Sequence, residues 1–417
     1  MKKGKKIFFG WWIVISAALQ NGLGGSIHWG GFAVLFLPIS QTFGISYAQT
    51  SVLFALARAE NGVLGPITGW LMDKFGPRPL AIIGTAMAGI GYIMLSRVEN
   101  YTQFLLIYVL VISIGATTSF MQTAFVALNN WFIKKRGLVM SINSASFRLG
   151  SAILVPTFSY IVYEWGWQKA VLYLGIFMLF FISPLGIFFK KSPESMGLKP
   201  DGETEDDNET KDDNEIISDH IVLGYSWREA IKTSAFWFLT LATTLRLSIH
   251  GAVFVHMIPI LVWKGITPAN AAWYVGILAF VGVPVILIIG RLSDKFGRPK
   301  MLALCYSSSA VSLFLVNFSS NSIFLLLSLL LLVGSEAGSG LNWSLVGDLF
   351  GRKNYGMIRG LLGPFYNSAL VITPVAAGFI YDVTNSYEIF LYAGSAIFLF
   401  SAITFLYVGV LSKKLKT

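Results

Sequence analysis

Six ionisable side chains, Arg58, Glu60, Arg148, Arg246, His250 and Glu336, interrupt runs of sequence that are otherwise apolar. Those runs are roughly 18 to 28 residues long, enough to span a hydrocarbon core of about 30 Å. A charge held at such depth costs a few kcal/mol, so each marks either a functional group or an internal pair. Helical rise puts Arg58, eleven residues before Gly69, about 16 Å from its span end, and Arg148, twelve residues after Arg136, at about 18 Å. Arg246 sits ten residues into its own span. Three arginines facing two glutamates leave an excess of about one positive charge, which a monoanion would balance, and a guanidinium grips a carboxylate through two parallel N–H groups. The residues alone leave open whether each arginine meets a solute or pairs internally, with Arg246 and Glu336 the obvious pair. Glu60 lies about 200° around the helix from Arg58, so both cannot face one opening. Arg58 is taken as the facing member, with Asn61 beside it, and Glu60 as buried against a helix of its own half.

Coupling to protons requires a group that changes protonation during a cycle. Buried carboxyls and histidines do so near neutral pH, which nominates Glu60, Glu336 and His250; the last stands one helical turn from Arg246 on the same face. His256, three residues before Pro259, suits a structural or gating role. Polar residues at other span centres complete the candidate solute site: Gln20 and Asn21 beside Gly22, Gly24, Gly25 and His28, then Thr118 and Gln122, Asn342, Tyr366 and Asn367.

The elements that must position these groups are twelve apolar segments, near 10–38, 48–70, 80–97, 103–129, 138–163, 168–190, 236–262, 270–290, 300–318, 323–347, 356–381 and 387–411. Only 12% of the 417 residues are charged and 55% are hydrophobic, whereas a soluble protein carries about 25% charged residues. The net charge of +10 invites a nucleic-acid partner, but its placement argues otherwise. With the N-terminus inside, 25 Lys and Arg fall in cytoplasmic segments and only Arg97, Lys169 and Lys264 outside. That asymmetry is the positive-inside pattern, placing both termini in the cytoplasm of a cell (plasma or inner) membrane. A single cysteine, Cys305, excludes a disulfide framework and a cysteine metal site.

The chain repeats itself around a hydrophilic stretch at 191–232 that contains DGETEDDNETKDDNE. Such an acidic run reads as a flexible cytoplasmic linker. It divides the chain into an N-terminal six-helix bundle at 1–190 and a C-terminal one at 233–417. The phrase running from Gly69 through Asp73 to Arg78 echoes the one running from Gly290 through Asp294 to Arg298, and both follow corresponding spans. Arg136 and Arg359 stand at two further matching junctions. Repeats of this kind build transporters, with solute bound between the halves. Asp73 and Asp294, disfavoured by the dipoles of their own helices, would be held by a helix N-terminus of the other half and by basic residues such as Arg136 or Arg359. Asp73, Arg78, Arg136, Asp294, Arg298 and Arg359 are therefore the expected gate.

The duplicated loop resembles the signature of the major facilitator superfamily, along the whole chain. A finer likeness, to the monocarboxylate porter and oxalate/formate antiporter branch, rests on Gly10-Trp11-Trp12, NWFIKKRGLVMS at 130–141, SPESMGLKPDG at 192–202, SWREAIKTSAFWF at 226–238 and FGRKNYGMIRG at 350–360. The resemblance implies an all-α membrane protein of twelve transmembrane helices in two pseudo-symmetric six-helix bundles. The branch places an arginine midway along the eighth helix, and its oxalate carrier a lysine in the eleventh. Here those segments read GILAFVGVPVILIIG and LLGPFYNSALVITPVAAG, so oxalate specificity is not expected and the cationic partner must be Arg246, Arg148 or Arg58. The function expected is secondary transport of a small organic monoanion, monocarboxylate-like, by alternating access in symport with protons. An exporter of amphipathic compounds or a sugar porter on the same fold, and a non-transporting membrane sensor, are the alternatives. No catalytic residue, metal site or cofactor is expected, no ATP-binding phrase occurs, and the unit is expected to act as a monomer.

Overall fold

The computed structural model describes residues 7–45, 47–202, 224–319 and 321–415, and the described residues are almost entirely helical. The first helix, α1, runs Gly10–Leu19, passes through a π-helical turn at Gln20–Gly25, and continues as Ser26–Phe43. There follow α2 (Tyr47–Phe75), α3 (Pro77–Leu95), α4 (Tyr101–Trp131), α5 (Arg136–Trp165) and α6 (Trp167–Phe188). After the residues left undescribed come α7 (Ser234–Trp263), α8 (Pro268–Phe296), α9 (Arg298–Asn317), α10 (Ser322–Phe350), α11 (Tyr355–Thr384) and α12 (Glu388–Lys414).

Local chemistry explains the boundaries. Side chains of Asn100, Thr233, Thr267 and Asn321 accept the third backbone N–H of α4, α7, α8 and α10, satisfying donors that a helix start leaves unpaired. The duplicated phrase ends α2 at Gly76 and α8 at Gly297, whose φ angles of 85° and 90° suit glycine alone. The next helix then opens with Pro77 or Pro299 in its first turn. The glycine-rich stretch at residues 20–25 forms the π-helical turn, where a Cβ added at Gly150 of α5 would fall on the Gly22 carbonyl.

Among the described residues, ten helices are long and apolar enough to cross a membrane, or eleven if the two bent pieces of α1 count as one span. The remaining helix, α2, is 29 residues long but carries Arg58, Glu60 and Asn61, which break its apolar run. Ile83, Phe280, Ile372 and Phe379 are all more than 60% exposed. Water would not tolerate so much uncovered apolar surface, and lipid does.

The chain forms two compact units. One comprises the described residues up to Tyr225 together with Phe350–Gly360; the other comprises Ser226–Leu349 and Leu361 onward. The first turns of α11 thus belong with the N-terminal helices. In the first unit Trp167 packs edge-on against Phe43 and Phe104 and donates to Thr42 Oγ1 at 2.9 Å. In the second, Tyr306 of α9 stacks on Phe398 and Phe405 of α12.

Of the stretch expected as a linker, residues 203–223 lie outside the described residues. Its two ends are held to the first unit. Asp201 accepts from the backbone N–H groups of Ile133, Lys134 and Lys135, at 2.8, 2.8 and 3.1 Å. Asn130 and Trp131 donate to the carbonyls of Lys191 and Lys190, and Tyr225 N–H bonds to the Phe350 carbonyl at 2.9 Å.

Candidate functional site

Of the residues expected as a gate, Asp73 makes its contact within the first unit, with backbone N–H groups rather than in an ion pair. Gly69 of α2 lies flat against Gly356 of α11, and a Cβ on either would fall on the other's carbonyl. That close approach lets Asp73, one turn beyond Gly69, reach the start of α11. Its carboxylate accepts from Gly356 N–H at 2.9 Å and Met357 N–H at 2.8 Å. A negative group at a helix N-terminus satisfies orphan donors and the dipole together. Arg359, expected to hold Asp73, instead donates to Gln122 Oε1 at 2.8 Å and lies over the Phe125 ring at 5.0 Å. The Gln122 amide nitrogen donates to the Gly65 carbonyl at 3.1 Å, so Gln122 belongs to this clasp rather than to a solute site.

Arg136 is buried and donates to the Phe132 carbonyl of its own loop at 3.1 Å. Arg78 stands exposed at the start of α3 and takes no part in the clasp. In the second unit Arg298 bridges Asp294 at 2.7 Å and Asp348 at 2.6 Å. Asp348 escaped the sequence reading because no repeat phrase marks it.

A further ion pair was missed for the same reason. Arg352 donates through both terminal nitrogens to Glu194, at 2.8 and 2.9 Å, across 158 residues of sequence. Partial burial works against ionisation of Glu194, but hydrogen bonds from Arg352 and Ser192 outweigh it and hold the carboxyl below its ordinary value. A depressed carboxyl pKa contributes stability in full above the unfolded value, about 4.3, and loses it as pH falls through the native value. Glu194 is 53% exposed, so screening limits the contribution to less than about 1 kcal/mol. Glu194→Gln is expected to speed amide exchange across 194–202 at neutral pH. The unsubstituted protein should match it only in acid, below the carboxylate range, as read by hydrogen–deuterium exchange.

The intramembrane groups of the first unit are largely spoken for. Gln20 donates to the Ala81 carbonyl and Thr85 Oγ1, and Asn21 to the Asn143 carbonyl. Both are fully buried and tie α1 to α3 and α5. Thr118 bonds to carbonyls of its own helix. Glu60 accepts from Ser113 at 2.6 Å and Thr117 at 3.1 Å, buried against α4 as expected. Asn61 donates to the same Thr117 at 3.1 Å, which ties it to α4 alongside Glu60. Arg58 lies over the Trp29 ring at 4.6 Å, and Arg148 is part-buried on α5.

In the second unit one cation stands apart. Arg246 is 1% exposed, with Nε and Nη2 buried and without a hydrogen-bond partner. Its guanidinium lies 5.8 Å from the Tyr306 ring centre and 6.0 Å from that of Trp343. The expected pair with Glu336 does not form. Glu336 Oε1 lies 3.5 Å from His250 Nε2 instead, while His250 Nδ1 contacts Ser335 Oγ at 3.2 Å. Asn342 is fully buried, its Oδ1 accepting from Thr243 at 3.0 Å and its Nδ2 unpartnered. Tyr366 meets Trp343 edge-on at 5.8 Å. Asn367 is buried and donates to the Gly363 carbonyl within its own helix. His256 is fixed between the Tyr387 hydroxyl and the Pro374 carbonyl, both at 3.0 Å, a structural role. The arrangement offers a buried positive charge and unpaired donors to an acceptor that must arrive from elsewhere.

Helices of this length and apolarity, with a glycine-and-aspartate clasp and a buried cation inside, fit a polytopic membrane carrier. The family model of the Major Facilitator Superfamily matches residues 14–284 and 251–417, and the chain belongs to that superfamily. It is 24% identical to a probable sulfoacetate transporter of Cupriavidus necator over 84% of this chain and 83% of that protein. Monocarboxylate transporter 13 of Rattus norvegicus is 23% identical, over 93% and 88%. The oxalate:formate antiporter of Oxalobacter formigenes is 26% identical, over 66% and 62%. The solved structure of a proton:xylose symporter of the superfamily, bound to 6-bromo-6-deoxy-D-glucose, shares the fold with a TM-score of 0.73 at 14% identity, covering 95% of this chain and 94% of that one. The protein is a secondary transporter of that superfamily, it resembles the monocarboxylate and oxalate/formate branch, and these relatives are carriers rather than enzymes.

Proposed function

We propose that the chain carries a small organic monoanion, monocarboxylate-like, by alternating access in symport with a proton. The observation that carries this reading is Arg246, a guanidinium buried at mid-span with two nitrogens unpaired. A buried charge is tolerated when a counter-charge completes it, and here the solute supplies that counter-charge. The solutes for which the three relatives are named, sulfoacetate, monocarboxylates, and oxalate and formate, are all organic anions. Fold alone does not choose a solute, so the likeness to a xylose symporter does not bear on it.

The proton is assigned to the His250–Glu336 pair, one turn along α7 from Arg246. An anion seated at Arg246 adds negative charge near the His250–Glu336 pair, so anion and proton favour each other's binding. The clasp at Asp73 lies on the cytoplasmic face in this reading, with both termini on the same side of the plasma or inner membrane and the monomer as the working unit.

The test is uptake of labelled lactate or pyruvate into proteoliposomes, with and without an inward proton gradient. The gradient is expected to drive accumulation, and a His250→Ala, Glu336→Gln double variant should lose at least tenfold of the gradient-driven part while keeping anion exchange. Gradient-driven uptake undiminished in the double variant would remove the proton assignment; no uptake of any small carboxylate would remove the solute class.

A further inference from the structure

Arg246 is not alone in lacking an acceptor. The Tyr306 hydroxyl is buried with no hydrogen-bond partner. Its oxygen also faces the guanidinium, which can donate toward it, so what the hydroxyl lacks is an acceptor for its own O–H. The Tyr306 ring is fixed by stacking on Phe398 and Phe405, and its hydroxyl points at Gly338, where an added Cβ would strike it. One turn further along the same face of α10 is Asn342. Thr243 occupies the acceptor of that amide at 3.0 Å, leaving Nδ2 as a buried, unpaired donor. Thr243 is itself one turn before Arg246 on α7. Three helices therefore bring an arginine, a tyrosine hydroxyl and an amide nitrogen together, all at most 1% exposed and each with an unpaired donor.

We propose that Tyr306 and Asn342 complete with Arg246 a subsite for one carboxylate, and that the solute is a monocarboxylate with an apolar body rather than a dicarboxylate. The inference rests on the anion-carrier reading above. Orphan buried donors cost about 1–3 kcal/mol each when unmade, and a carboxylate, which only accepts, meets all of them at once. Beside this subsite the wall is the Trp343–Tyr366 ring pair, a surface for carbon rather than charge. Among the described residues of the second unit, Arg246 is the only Lys or Arg at mid-span, and Glu336 is the charge nearest to it along α10. Within the described residues of the second unit a second carboxylate would find no further mid-span Lys or Arg and would be repelled by Glu336.

The experiment is thermal unfolding of the purified full chain titrated with phenylacetate, its neutral amide phenylacetamide, and malonate, for the unsubstituted protein, Tyr306→Phe and Arg246→Lys. Phenylacetate should stabilise the unsubstituted protein and phenylacetamide should not, with malonate at least tenfold weaker. Tyr306→Phe preserves the stacked ring, so without ligand it should unfold at the same temperature or higher, because an unsatisfied hydroxyl is gone. Its affinity for phenylacetate should fall about tenfold, the loss of one hydrogen bond to a charged acceptor. Gly338→Ala reads the same point from the opposite wall and should also weaken phenylacetate. Unchanged phenylacetate affinity in Tyr306→Phe and Gly338→Ala, alongside a loss in Arg246→Lys, would overturn the tyrosine assignment and leave the carrier reading intact. Malonate binding as tightly as phenylacetate would overturn the apolar-body claim. No carboxylate response in the unsubstituted protein would sink both readings together.

Discussion

Arg246→Ala is expected to lower anion uptake at sub-saturating solute by about two orders of magnitude. Removing one partner of a buried, hydrogen-bonded charge pair costs about 2–5 kcal/mol, and the bound anion would be left as the unpaired member. Arg246→Lys keeps the charge but loses the planar fork, so a smaller fall of about tenfold is expected. The unliganded protein should behave differently. A guanidinium with two unpaired nitrogens gives little stability to the empty state. Its contacts with the Tyr306 and Trp343 rings are offset by the desolvation it suffers. Initial uptake rate against concentration, together with the melting temperature without solute, separates these outcomes. Loss of unliganded stability in parallel with uptake would mark Arg246 as a structural residue.

The second large effect is expected at the clasp. Gly69→Leu places carbon where the Gly356 backbone stands, and overpacking of this kind costs about 1–3 kcal/mol. The start of α11 must then leave α2, withdrawing the Gly356 and Met357 N–H groups from Asp73. A bias of that size shifts a two-state equilibrium by about 5- to 150-fold. Exchange of the 356 and 357 amides should accelerate accordingly, and Asp73→Ala should reproduce the exchange without the steric cause. Slow exchange at both amides in Asp73→Ala would show that glycine packing holds the clasp without the carboxylate.

Much of the architecture could be read from the chain because it is written twice. The Asp-Lys-Phe-Gly echo marked two corresponding junctions, and a carboxylate disfavoured by its own helix pointed to another helix's N-terminus, which Asp73 finds. What spacing could not tell was which polar groups were already satisfied. Gln20 and Asn21 break an apolar run as solute ligands would, yet each spends its donor on a neighbouring helix. Gln122 is similar, since nothing in one sequence shows that Arg359, 237 residues away, takes its carbonyl. Asn61 is about 60° from Arg58 in helical angle and about 100° from Glu60, and that spacing did not show its bond to the Thr117 hydroxyl that Glu60 also uses. Tyr306 was not among the residues singled out from the sequence. The available signal was that a tyrosine hydroxyl deep in an apolar span needs a partner. Glu194 and Arg352 sit in loops whose meeting depends on the tertiary fold alone.

The measurement that bears most directly on Arg246 as the anion's seat is equilibrium binding of labelled lactate and pyruvate to the purified protein and to Arg246→Ala, each competed with the corresponding neutral amide. Saturable binding to the unsubstituted protein, insensitive to the amide and lost in Arg246→Ala, is the predicted result. Equal binding to both proteins would show that the guanidinium is a packed structural cation and that the solute is held elsewhere.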